Sequence, residues 1–208
     1  MKGLYFIVAL LAAAVIILAV RLAQSDNAAK DSAANSAVAD GYESVMTRTS
    51  VRQYADRAVP DSICEKILRA GMAAPSAVNA QPWHFFVIDS RAMKDAIASK
   101  FSNASMTAKA PLTIVVCGNL DLAMKDEGVA YWIQDCSAAT ENMLVAANAL
   151  GLGGVWCGIY PIAERVELLR ALLHLPDNLV PLNVVNFGYP AAPQAPKDKW
   201  APSKISHI

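Results

Sequence analysis

Beyond residue 41 the chain alternates short, unbroken apolar runs with longer amphipathic stretches, and this alternation restricts the fold most. A continuous apolar run too brief for a helix suits a strand covered on both faces. His84-Phe85-Phe86-Val87-Ile88, Leu112 to Cys117 behind Pro111, Val155 to Cys157 and Val184 to Phe187 read as such strands. Between them the spacing predicts helices over Tyr42 to Thr49, from Asp61 to Gly71, over Arg91 to Phe101, over Glu127 to Leu150 and over Glu164 to Leu173. Ser62 and Glu65 have capping-box spacing at the start of one helix, and Gly151 is placed to end another. The tail from Ala191, with Pro193 and Pro196, should be extended. The alternation suits a layered α/β sheet, and the small share of strand suits a helix-rich α+β domain equally well.

The N-terminal part has a different character. Leu4 to Val20 is an unbroken apolar run, near the short end of the roughly 17–25 residues that span a bilayer. A cleavable signal has a shorter apolar core and a small-x-small site. Here the candidate cut after Ala23 has Arg21 in the way. Residues 1–23 are therefore expected to form an uncleaved transmembrane helix, with a cleaved signal as the alternative. The expected location is a membrane. Lys2 on one side and Arg21 and Lys30 on the other do not choose the side that the domain faces. Residues 24–41 are rich in Ala, Ser, Asn and Asp and read as a flexible linker. Residues 42–208 are the expected folded domain.

With 18 basic and 18 acidic residues the formal charge is zero, which argues against a general nucleic-acid binder. Cys64, Cys117, Cys136 and Cys157 form no C-x-x-C pair, and His84, His174 and His207 are scattered, so no metal site is expected. The cysteines read as small apolar residues, although an oxidising compartment would permit a disulfide.

Four segments can carry chemistry. Arg48-Thr49-Ser50-Val51-Arg52 offers guanidinium forks and a hydroxyl suited to phosphate oxygens, although such a pair of arginines is usually a solvated face. Ala74-Pro75-Ser76-Ala77-Val78-Asn79-Ala80-Gln81-Pro82-Trp83 is an irregular loop with amide and hydroxyl groups, or a plain turn ending on a buried tryptophan. Gly151-Leu152-Gly153-Gly154-Val155-Trp156-Cys157-Gly158 is no dinucleotide fingerprint, because its glycines close a helix and enter a strand, the reverse of that motif. Gly158 would allow close approach to a flat ring. Lys197-Asp198-Lys199 is an ordinary solvated tail unless it lies beside Arg48 and Ser50.

These segments, with Phe187-Gly188-Tyr189-Pro190, together resemble the FMN-dependent nitroreductase family in order and spacing from about Ser44 to Lys199. The resemblance implies a nitroreductase-like α+β fold: a central, mainly antiparallel sheet flanked by helices, built as an intertwined homodimer with FMN at the interface. By the same resemblance Arg48 and Ser50, with Thr49 between them, contact the FMN phosphate and ribityl chain. Arg52 stands near flavin N1 and the C2 carbonyl. Pro75, Ser76 and Asn79, with Gln81, form a wall contributed by the partner subunit. Cys157, Gly158 and Ile159 pass the N5 edge, Lys197 and Lys199 reach the phosphate, and Asn103 matches an asparagine near the ring. Two departures stand out: Cys157-Gly158 where the family often has an acidic residue and glycine, and lysines where its tail often has arginine.

The activity implied is NAD(P)H oxidation with hydride transfer through flavin N5 to a nitroaromatic, quinone or similar small oxidant, with Arg52 as electrostatic stabiliser and no catalytic side chain. The alternatives are a relative performing reductive dehalogenation or oxygen chemistry, and a membrane-tethered flavin-binding or accessory protein without turnover.

Overall fold

The structure, a computed structural model, describes residues 41–208. The chain divides into Met1–Glu43, of which only residues 41–43 are described, and the compact unit Ser44–Ile208. Besides a short helical stretch over residues 44–47 and several 3-10 turns, the larger unit holds α1 (Asp61–Met72), β1 (Trp83–Val87), α2 (Arg91–Lys100), β2 (Leu112–Asn119), α3 (Tyr131–Ala149), β3 (Gly153–Gly158), α4 (Ala163–Leu173) and β4 (Leu179–Gly188). The strands form one sheet in the order β1-β2-β4-β3, and every neighbouring pair is antiparallel. This is the antiparallel α+β arrangement that the resemblance implies. The alternation of strands with helices left it open, because a connecting helix can return the chain in either direction.

The side-chain period of a strand divides the core between the two faces of the sheet. From β2, Leu112, Ile114 and Val116 meet Ile67 of α1 and Met143 and Leu144 of α3. Val115 and Cys117 point the other way, towards Ile97 of α2 and Val166 and Leu169 of α4. Helices therefore cover both faces, and continuous apolar strands follow from that. Each fully buried Ile, Leu or Val contributes roughly 1.5–3 kcal/mol.

Several boundaries differ from the sequence reading, each for a physical reason. Helix α1 starts at Asp61 behind Pro60 with no side-chain cap, so Ser62 lies inside the first turn and the Ser62–Glu65 capping box does not form. Ser90 caps α2, accepting a hydrogen bond from the Met93 amide at 3.3 Å. Helix α3 begins at Tyr131, after a 3-10 turn over Asp126–Gly128. Gly151 ends the turn after α3 with φ 78°, the left-handed conformation glycine adopts without strain. Strand β4 is longer than its apolar run because Pro181 is accommodated: the β2–β4 register slips between Val116 and Cys117, where a proline without N–H interrupts the ladder least.

The expected N-terminal transmembrane helix is corrected. Among the described residues no helix is long and apolar enough to cross a membrane, and the run Leu4 to Val20 lies outside them. An apolar run at the short limit of a spanning helix does not by itself fix a membrane segment. The membrane as location and as partner is withdrawn with it.

One buried polar network joins the layers. Asn186 of β4 donates through Nδ2 to Thr107 Oγ1 at 2.9 Å, and its Oδ1 accepts from Thr113 Oγ1 of β2 at 2.8 Å. All three side chains are fully buried, and a buried polar group left without its partner is costly. Replacing Asn186 by Ala is expected to destabilise the domain by about 3 kcal/mol, read as a lower urea midpoint at unchanged slope.

Candidate functional site

Residues 44–47 are helical, and the chain then runs out as an extended strap over residues 50–55. The strap lies beside the sheet. Val51 N–H donates to the Gly154 carbonyl at 3.0 Å, and Ser50 forms a parallel bridge with Gly154. The approach is close enough that a Cβ on Gly153 would collide with the Val51 side chain. Past β4 the chain pairs with the other side of the strap. Ala55 N–H donates to Tyr189 O at 2.8 Å and Ala191 N–H to Gln53 O at 3.0 Å, with an antiparallel bridge between Tyr54 and Pro190. Arg57 stacks over the Tyr189 ring at 3.7 Å. Antiparallel pairing sends the tail back along the strap towards Arg48.

The consequence is a cleft of about 330 Å³ lined by Arg48, Thr49, Ser50, Arg52, Gln194, Ala195, Lys197 and Lys199. The cations proposed from both ends of the domain thus meet in one place, and the donor set suits an anion such as a phosphomonoester. Arg48 is three-quarters covered and pairs through Nε with Glu141 Oε1 at 2.9 Å. Arg52 Nη1 lies 3.4 Å from the Ser50 carbonyl.

The β3 exit behaves differently. Cys157 and Ile159 are buried in the core on the α2–α4 face, so their side chains do not line the cleft. Burial pushes the Cys157 thiol up to about 11, against the opposing pull of the Arg52 charge and an Asn186 hydrogen bond, so it stays protonated near neutrality. Tyr54 is raised further, chiefly by burial, and its neutral hydroxyl donates to Val51 O at 2.8 Å, with Asn186 O at 3.2 Å. Gly158 has no heavy atom within 4 Å of the position a Cβ would take. Its carbonyl accepts from Asn103 Nδ2 at 3.0 Å and Arg165 Nη1 at 3.1 Å.

The loop Pro75 to Gln81 does not join the cationic cleft. Pro75, Ser76 and Ala77 line a separate hollow of about 360 Å³ with Tyr131, Gln134, Asp135 and Ala138. The loop is strained: Val78, Asn79 and Gln81 have φ of 48°, 57° and 48°, uncommon for non-glycine residues and rarest for a β-branched one. Ala77 N–H to Asp135 Oδ1 at 2.8 Å and Gln81 N–H to Ser76 Oγ at 2.9 Å hold it, while Gln81 Nε2 donates to Asn79 Oδ1 at 2.9 Å.

Gln194, Glu141 and Arg165 were not singled out from the sequence. Glu141 meets Arg48 from far along the chain, Arg165 reaches back across the turn after β3 to the Gly158 carbonyl, and Gln194 comes to the cleft with the tail; none of the three belongs to a local motif. All four cysteines are free thiols, and no metal-binding cluster occurs among the described residues.

The model of the Nitroreductase family matches residues 45–105 and 91–189. A protein of Methanothermobacter thermautotrophicus, provisionally named NADH dehydrogenase/NAD(P)H nitroreductase, is 42% identical over 166 residues, covering 80% of this chain and 85% of that protein. The FMN reductase [NAD(P)H] of Bacillus subtilis is 25% identical over 180 residues, covering 79% of this chain and 72% of that protein. A crystal structure from Parabacteroides distasonis with the same provisional name superposes with TM-score 0.76 at 40% identity, covering 80% of this chain and 96% of that one. Family pattern, sequence and fold coincide over the region that builds the strap, the sheet and the β3 exit: the chain belongs to the nitroreductase family.

Proposed function

We propose that residues 42–208 form an FMN-dependent oxidoreductase that takes electrons from NADH or NADPH and passes them to a small oxidant such as a nitroaromatic or a quinone. The observation that carries this reading is the convergence of Arg48, Ser50 and Arg52 with Lys197 and Lys199 on one cleft. The names of the relatives support it.

When bound, FMN supplies a hydride acceptor at N5 and a donor to the oxidant. Arg48, Thr49, Ser50, Lys197 and Lys199 would hold its phosphate and ribityl chain, as forked and point-like cations do. Arg52, further along the strap, would hold the negative charge that develops at the N1 and C2 carbonyl edge. Gly158 would leave room for the ring where any side chain would project into it. Cys157, a buried thiol, would keep out of the chemistry, with backbone groups of the Cys157–Ile159 segment facing the ring.

A homodimer is part of this reading, and the size and placement of the hollows support it. A cleft of about 330 Å³ in one chain is near the lower limit for ligand sites. Pro75 and Ser76 line a different hollow and no residue of the Pro75–Gln81 loop lines the cationic cleft, so a second copy's loop, with its Pro75, Ser76, Asn79 and Gln81, would supply the other wall. The strain held in Val78, Asn79 and Gln81 supports a recognition role for this loop.

The protein is expected to purify yellow, or to take up FMN, and to oxidise NADH or NADPH in the presence of a nitroaromatic; a colourless protein that cannot be reconstituted overturns the reading. Arg52→Ala should slow stopped-flow flavin reduction roughly a hundredfold while weakening FMN binding much less. Reduction at unchanged speed would remove Arg52 from this role. Gly158→Val should weaken FMN and riboflavin alike in fluorescence titrations, with the thermal midpoint of the flavin-free protein unchanged.

A further inference from the structure

We infer that Glu141 is a positioning residue for phosphate recognition: it aims the Arg48 guanidinium into the cationic cleft. The inference rests on the FMN reading above and concerns a residue that never touches the ligand.

Helix α3 grips the segment before the strap at two places. Asn148 Nδ2 donates to Ser44 O at 3.1 Å and to Thr47 Oγ1 at 2.8 Å. Glu141 takes Arg48 Nε at 2.9 Å. Glu141 and Asn148 stand about two turns apart and so share a face of α3. A guanidinium has two usable edges, one including Nε and one made by the terminal nitrogens. The carboxylate engages Nε, and the terminal edge is the one suited to receive a phosphate in a forked pair. Arg48 is 21% exposed while Glu141 is 49% exposed, so the arginine is held against the protein and the carboxylate stands towards solvent.

Two effects of Glu141 oppose each other, and their balance gives the test. Its negative charge lies near the proposed phosphate and repels it, although solvent at a half-exposed site screens that repulsion. Its hydrogen bond fixes one rotamer of a long side chain before the ligand arrives, which lowers the ordering cost on binding. If positioning dominates, removing the carboxylate weakens phosphate binding despite removing a like charge.

The experiment uses the 208-residue chain, titrated with FMN and with riboflavin, which lacks the phosphate. Glu141→Ala is expected to weaken FMN binding about tenfold and to leave riboflavin binding unchanged. Glu141→Gln keeps an oxygen for Arg48 Nε and should restore FMN affinity to the wild-type value or better. Tighter FMN binding by Glu141→Ala, no change, or equal weakening of FMN and riboflavin would each overturn the inference and leave the FMN reading standing. A wild-type chain that binds neither flavin overturns that reading, and the inference with it.

Discussion

The backbone pairing of the strap with its two neighbours is the constraint on which the cleft depends. Strap residues bond to Gly154 on one side and to Tyr189 and Ala191 on the other. Arg48 and Arg52 are far along the sequence from Lys197 and Lys199, and those bonds are what bring the two segments side by side. Cations brought together in this way repel one another, so the arrangement has to be held by something other than their own charges. Buried or edge-paired backbone groups need partners, and that need draws the strap and the segment after β4 together whatever their side chains carry.

The two-faced core gives this pairing a rigid base. Strands β2 and β4 are central and almost wholly buried, so β3 and its exit at Gly158 are fixed relative to the strap. The Asn186 network reaches Thr107, Thr113 and Cys157, and the Tyr54 hydroxyl reaches the Asn186 backbone. This one buried polar network therefore reaches the strap through Tyr54, and loss of packing there would be transmitted to the cleft. Asn103 and Arg165 complete the frame by holding the Gly158 carbonyl from outside the sheet.

The sequence was informative where local pattern carries the signal. The short apolar runs marked all four strands, and Gly151 was legible as the end of α3, where it takes the left-handed conformation. Cys117, Cys136 and Cys157 are buried in the core and Cys64 is half-buried against it, all as free thiols, which matches their reading as small apolar residues. It was less informative at helix starts, where Pro60 in place of a side-chain cap and the 3-10 turn before α3 depend on neighbours in space. The length of β4 was missed because Pro181 reads as a breaker in isolation and becomes tolerable only beside the register slip opposite Cys117. Hydropathy at the N-terminus suggested a membrane helix that the described residues do not support.

What the sequence determined by itself is which residues are available and in what local conformation: the strap cations, the lysine tail, the loop of small and amide residues, and the segments that become strand or helix. Backbone propensity and side-chain period act over a few residues, and they suffice for that. Tertiary structure alone decided the antiparallel order of the sheet, the meeting of strap and tail in one cleft, the separation of the Pro75 loop from it, and the pairing of Arg48 with Glu141. Each of these is a contact between residues far apart along the chain. Such a contact is fixed by how the layers bury their apolar faces together, which no short stretch of sequence contains.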